Sequence, residues 1–147
     1  MASSIILSSL NSNLNTIQKN EILQMNSESE QYGLSLSQDD IEEIIKSRNH
    51  TLQSYGRIDL NINVTKQLIE NLYISQYTDK DDYVELINDL QDIFYYLKNE
   101  TLDEISDIEI LEIIDEFYNE CSGRIDNVQN MVEKFAQDYK WGRGRDR

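Results

Sequence analysis

Apolar residues recur at spacings of three and four along most of this chain, which is the period of a helix with one buried face. From about Asn13, Leu14, Ile17, Ile22, Met25 and Tyr32 predict a weakly amphipathic helix that stops at Gly33. Ser37-Gln-Asp-Asp40 has the form of a capping box and opens a second helix, with Ile41, Ile44, Ile45, Leu52 and Tyr55 on one face up to Gly56. A third starts at Asn63 or Thr65, carries Leu68, Ile69, Leu72 and Tyr73, and breaks up around Ser75 to Thr78. The fourth has the clearest pattern: acids at Asp79, Asp81 and Asp82 suit its N-terminal dipole, and Tyr83, Leu86, Ile87, Leu90, Ile93, Phe94 and Leu97 form its buried stripe. Lys98-Asn-Glu-Thr ends it. Ser106-Asp-Ile-Glu109 is a second capping box, followed by Ile110, Ile113, Ile114, Phe117, Tyr118 and Cys121 before Gly123. A last helix from about Asn127 buries Val128, Met131, Val132, Phe135 and Tyr139.

The fold class is therefore all-α, a single-domain bundle of five to six helices with short loops. Its expected limits are 13–140, between a Ser/Asn-rich flexible leader over 1–12 and a basic flexible tail over 141–147. Proline is absent and only five glycines occur, so strand-and-turn architectures lack their punctuation. The tetrapeptide Gly-Arg-Ile-Asp appears at 56–59 and again at 123–126, each time between two amphipathic segments. Two helix corners explain both copies, with Gly closing one helix, Ile packing inward and Asp helping to cap the next. A sharper reading makes Arg57 and Arg124 clamps on acidic helix ends.

Charge changes the picture. The chain of 147 residues carries a formal charge of −15, and Asp79 to Glu120 holds fifteen acids against Lys80 and Lys98, so this stretch alone supplies −13. Because it also carries the helical apolar pattern, the charge belongs on the outer faces of folded helices and not in a disordered acidic tail. Glu85, Asp89, Asp92 and Tyr96 share one face of the fourth helix, opposite its apolar stripe. Glu109, Glu112, Glu116 and Glu120 run up one face of the fifth, towards a C-terminus whose dipole disfavours anions. Like-charge neighbours cost a few tenths of a kcal/mol each, roughly 1 to 2 kcal/mol in all. A cationic partner would relieve that repulsion; a solvated face would simply bear it.

Known chemistries fail on residue type. Asp79-Lys-Asp-Asp-Tyr-Val begins like a calcium loop, but Val84 stands where the sharp turn needs Gly and Leu90 where the bidentate Glu belongs. A di-iron bundle needs paired Glu-x-x-His elements, and the single histidine, His50, has Ser47 three residues before it. Cys121 lies on an apolar stripe without a strand-to-helix elbow and reads as a structural thiol. No phosphate loop, dinucleotide fingerprint or zinc spacing occurs. No catalytic, cofactor or metal-ligating residue is assigned, and a non-enzymatic protein is expected. Trp141-Gly-Arg-Gly-Arg-Asp-Arg147 could stack on single strands, yet a charge of −15 repels phosphates and direct nucleic-acid binding is not expected.

At Arg48-Asn49, Gly56-Arg-Ile-Asp59, Asp92-Ile-Phe-Tyr-Tyr-Leu-Lys-Asn-Glu100 and Cys121-Ser-Gly123 the chain resembles a family of small uncharacterised proteins of clostridia and related Firmicutes, over about residues 20–140. The resemblance implies a folded bacterial cytoplasmic domain and transfers no activity. A single cysteine, no positively charged start and no run approaching about 18 apolar residues agree with a reducing cytoplasm and no membrane span. The expected function is a protein-interaction module that presents Glu85, Asp89, Asp92, Tyr96, Glu109, Glu112, Glu116 and Glu120 to a basic protein partner, with no small-molecule substrate. The alternative is a DNA-mimic inhibitor of a nucleic-acid enzyme, which requires acids continuing at phosphate-like spacing across both helices.

Overall fold

A computed structural model describes residues 15–145, with side chains to Gly142. The expected leader 1–12 lies outside the described residues. The fold is all-α, and helices carry every described element: α1 over 15–24, the short α2 (Asn26–Ser29), α3 (Gln38–Ser54), α4 (Asn63–Ile74), α5 (Tyr83–Glu100), α6 (Asp107–Glu120) and α7 (Ile125–Arg145). Single turns of 3-10 helix at Glu30–Tyr32 and Lys80–Asp82 complete it.

Local chemistry explains most of the boundaries. Ser37 accepts from the Asp40 amide at 3.1 Å while the Asp40 carboxylate accepts from the Ser37 amide at 2.9 Å, a closed capping box that starts α3. Ser106 accepts from the Glu109 amide at 3.2 Å and starts α6. The first helix departs from expectation. Instead of running unbroken to Tyr32, it turns at Met25, because Asn26 uses its side-chain amide to hold Leu36 in a two-way pair (2.8 and 2.9 Å). That bond pins the 34–36 segment, whose Leu34 and Leu36 are buried, across the start of α3. Ile17 and Tyr32, expected on the apolar face, are more than half exposed, and among the described residues of that set Ile22 alone is fully buried. At the far end α7 passes the boundary expected at 140 and includes Trp141 and Gly142.

The core forms around α5, which packs against α3, α4, α6 and α7. Tyr83, Leu86, Ile87, Leu90, Ile93, Phe94, Tyr95 and Leu97 of α5 are buried, joined by Ile44, Leu68, Ile69, Leu72, Ile110, Ile114 and Val128 from its neighbours. One polar bridge crosses this interior: Thr65 Oγ1 donates to Gln91 Oε1 at 2.6 Å, and Gln91, with no exposed surface, donates on to the Ile44 carbonyl at 3.4 Å. It ties α4, α5 and α3 together without leaving a polar atom of Gln91 stranded.

The two Gly-Arg-Ile-Asp corners prove different in kind. Gly56 (φ +64°) and Gly123 (φ +78°) both take the left-handed conformation that closes a helix. A Cβ on Gly56 would meet nothing, whereas one on Gly123 would lie 2.9 Å from the Tyr77 carbonyl oxygen and 3.3 Å from the Tyr118 hydroxyl. Ile125 is half-buried as expected, but Ile58 is 90% exposed, because the longer loop from Arg57 to Ile62 carries it outward past the bundle end. The clamp reading holds for Arg57, which reaches Asp103 at 2.5 Å, while Arg124 is exposed and enters none of the ion pairs among the described residues.

Gly56→Ala is expected to cost about 1 kcal/mol for its left-handed backbone alone, and Gly123→Ala about 2 to 3 kcal/mol because the close approach to Tyr77 adds to the same strain. Urea unfolding of the two variants measures the difference; equal losses would contradict the packing at Gly123.

Candidate functional site

Four neighbours occupy most of the circumference of α5, so its charge is confined to one strip. Glu85 and Asp92 are exposed on that strip, and Asp89 and Tyr96 are half-buried. The flanks come from other helices. Burial raises the Asp89 carboxyl above the usual range, and Glu85, Asp92 and Asp126, from the first turn of α7, push it further. Burial likewise raises the Tyr96 phenol, followed by Glu100 and by Glu133 of α7, with Lys140 acting in the opposite sense. On the other side Tyr55, the C-cap of α3, is raised by burial and then by Asp92, Tyr96 and Glu100. The site is a band of carboxylates along α5, widened by Asp126 and Glu133 and bordered by two tyrosines.

Charge balance within this band is uneven. Lys140 pairs with Glu100 at one end. None of the ion pairs among the described residues includes Glu85, Asp89 or Asp92. A partly desolvated carboxylate among three others, with no cation of the described residues within salt-bridge reach, is a poor arrangement for folding alone.

The acids expected on α6 form a separate surface. Glu109, Glu112, Glu116 and Glu120 are exposed on the side opposite Ile110, Leu111, Ile114 and Tyr118, which face the core. No α6 charge is among those acting on Asp89, Tyr96 or Tyr55. Glu112 lies on the rim of a groove between α4 and α6 that is also lined by Gln67, Asn71, Ile108, Leu111 and Asp115. Burial raises the Asp115 carboxyl, and its hydrogen bond from Asn119 at 3.2 Å opposes that. The structure thus places all eight predicted residues at the surface but groups Glu85, Asp89, Asp92 and Tyr96 apart from the α6 set. Spacing along one helix could not have found Tyr55, Asp126 or Glu133, which join the band only through tertiary packing.

Other candidate chemistry falls apart spatially. His50 is exposed towards the C-terminal end of α3, while Cys121 caps α6 at the opposite end of the bundle, half-buried with its Sγ 3.2 Å from Met131 Sδ. Among the described residues no group of three or more His, Cys, Asp and Glu side chains is arranged to hold a metal ion, and no helix is long and apolar enough to cross a membrane.

Three of the segments that carry the sequence resemblance, Arg48-Asn49, Gly56 to Asp59 and Asp92 to Glu100, meet at one end of the bundle. Arg48, 2% exposed, donates through Nη2 to the carbonyls of Asp59 (2.6 Å) and Asn61 (2.7 Å), and Tyr95 donates its hydroxyl to the Asp59 carboxylate at 3.0 Å. Lys98 donates to the Ile105 carbonyl and pairs with Asp107, both at 2.7 Å. These bonds hold the α3–α4 and α5–α6 loops against the end of α5. A family model described as a family of unknown function (DUF6323) matches residues 21–145. The chain belongs to that family. No curated protein and no solved structure matches it. Within this DUF6323 chain, Arg48, Tyr95 and Lys98 of the resemblance hold loops in place, while Asp92 and Tyr96 of the same segment lie in the acidic band on α5.

Two outcomes follow. Arg48→Met is expected to destabilise the fold by about 1 to 3 kcal/mol, because two partly buried carbonyls lose the donor that joins them, and Arg48→Lys should recover little since the shorter ammonium does not reach where Nη2 sits; urea unfolding reads both. For pH, Asp89 has a raised folded-state pKa, so the native state holds its proton more tightly than the unfolded chain. The cost of ionising Asp89 is fully present above the folded-state pKa and is relieved as pH falls through it. Asp89→Asn should therefore be more stable than the parent protein at neutral pH, with the gap closing on acidification into the carboxylate range. Parallel stability curves from pH 8 to 4 would contradict the burial and repulsion assigned to Asp89.

Proposed function

We propose that this protein is a non-enzymatic, bacterial, cytoplasmic interaction module whose acidic band on α5, flanked by α7 and the end of α3, receives a basic protein partner. The observation that carries this reading is Asp89, partly withdrawn from water beside Glu85, Asp92 and Asp126 and in none of the ion pairs among the described residues. A lysine or arginine entering the band supplies the missing counter-charge and lifts a repulsion the fold bears alone. Tyr96 and Tyr55 give such a cation aromatic surface beside the carboxylates, so charge sets the approach and the tyrosines set the contact. The α6 row, fully solvated, adds long-range attraction for the same partner.

The DNA-mimic alternative needs one run of acids across α5 and α6. Their rows face different sides of the bundle, and the acids that extend the α5 band come from α7, so we do not carry that reading further.

The test is a pull-down from a clostridial lysate at low and high salt, read by mass spectrometry, using the parent protein, a Glu85→Gln/Asp89→Asn/Asp92→Asn variant and a Glu112→Gln/Glu116→Gln/Glu120→Gln variant. A discrete basic partner should be captured at low salt, be lost with the α5 variant, and be reduced only a few-fold with the α6 variant. A partner indifferent to the α5 substitutions would overturn the assignment of this band.

A further inference from the structure

Glu85, Asp89, Asp92 and Tyr96 stand four, three and four residues apart along α5, the alternation that keeps a seam facing a neighbouring helix over its whole length. Such a seam is ordinarily apolar. Here it carries three carboxylates and a phenol, with Glu85 and Asp92 exposed. α3 and α7 each pack on α5, with no comparable packing between the two, and the seam is the floor of the cleft they leave. On that floor Asp89 and Tyr96 are half-buried, and Tyr96 packs against the core, as does Tyr55 at the end of α3.

The α7 wall advances in step with the floor. Asp126 lies within electrostatic reach of Asp89 and Glu133 within reach of Tyr96, so an advance of two turns on α5 is matched by the same advance on α7. The two helices therefore run alongside one another in the same direction over about 10.5 Å, with an acid of α7 at each end of that stretch. From Glu85 to Tyr96 the floor extends about 16 Å, three helical turns. Beyond it, Lys140 pairs with Glu100 and caps the cleft with a cation. The cleft is thus negative on its floor and on one wall, and its charges recur with the turns of an α-helix. An extended segment repeats every two residues, about 6.7 Å, and falls out of step with carboxylates set at that period.

We infer that the partner enters this cleft as an α-helix of about three turns, laid along α5 between α3 and α7, with Lys or Arg at the same alternation of four and three residues on its inner face. The inference rests on the reading that the α5 band receives a basic protein, and it adds the form in which that basic charge arrives. A helix in this place completes the ring that α3, α4, α6 and α7 leave open around α5. Its basic heads meet Glu85, Asp89 and Asp92 on the floor and Asp126 and Glu133 on the wall. Their methylene stems lie over Tyr96 and Tyr55, which gives the contact apolar and aromatic surface. A chain of charge −15 draws such a helix in from a distance.

Calorimetric titration of the full chain with three synthetic Lys/Ala peptides of equal length and charge tests this, with circular dichroism of each mixture. The first peptide carries its lysines on one helical face at alternating spacings of four and three. The second spreads the same lysines around the helix, and the third keeps the first pattern but has proline at two central alanine positions. The first should gain helical ellipticity on binding and bind about tenfold more tightly than either of the others. An Asp126→Asn/Glu133→Gln variant, altered only at exposed positions of α7, should reduce that preference several-fold. A second or third peptide that matches the first in affinity, with binding still lost in the Glu85→Gln/Asp89→Asn/Asp92→Asn variant, would overturn the helical register and leave the band as the site of a basic partner. Binding indifferent to that triple variant, or no binding of any peptide, would overturn the assignment of the band and this inference with it.

Discussion

The enclosure of α5 by four other helices is the constraint on which the rest of the molecule depends. A helix packed by four neighbours must be apolar over a wide arc, and nine of the 18 residues of α5 are buried, with Gln91 accommodated because Thr65 and the Ile44 carbonyl satisfy it. What remains to solvent is a strip, and Glu85, Asp89, Asp92 and Tyr96 are the residues left on it. Packing therefore concentrates charge as well as burying apolar surface: the closer α3 and α7 approach α5, the less water reaches Asp89 and the stronger the repulsion it feels.

The two ends of the bundle are managed by different means. At the end where α6 meets α7, shape decides, through a left-handed glycine against the Tyr77 backbone and a hydrogen bond between Tyr118 and Thr78 at 3.0 Å. Where α5 meets α6, charge decides: Arg48, Arg57, Lys98 and Lys140 each hold a loop or helix end by carbonyl or carboxylate. A charge of −15 is thus a sharply uneven distribution, with compensation gathered at one end.

Much of the architecture was legible in the sequence because its signals are local. The capping boxes at Ser37 and Ser106 act within four residues, and the stripe from Tyr83 to Leu97 repeats within a single helix, so both appear in the structure where the residues place them. The break at Met25 was not legible, because the bond that causes it joins Asn26 to Leu36, ten residues away. Ile58 read as a core residue by analogy with Ile125, but the loop after Gly56 is longer and carries it into solvent. For the candidate site the same division applies. Spacing named the α5 acids and tyrosine correctly as one face, yet it joined them to an α6 row that points elsewhere and missed Tyr55, Asp126 and Glu133, whose membership depends on which helices become neighbours.

The central claim, that the band along α5 is where positive charge is received, is tested most directly by amide chemical-shift mapping during titration with a Lys/Arg-rich amphipathic helical peptide. Saturable shifts should concentrate on 85–100, on the stretch of α7 from Asp126 to Glu133 and on Tyr55, with smaller, non-saturating changes along Glu109 to Glu120. Uniform shifts over every acidic residue, or shifts centred on α6, would mean that the band does no more than keep the protein in solution.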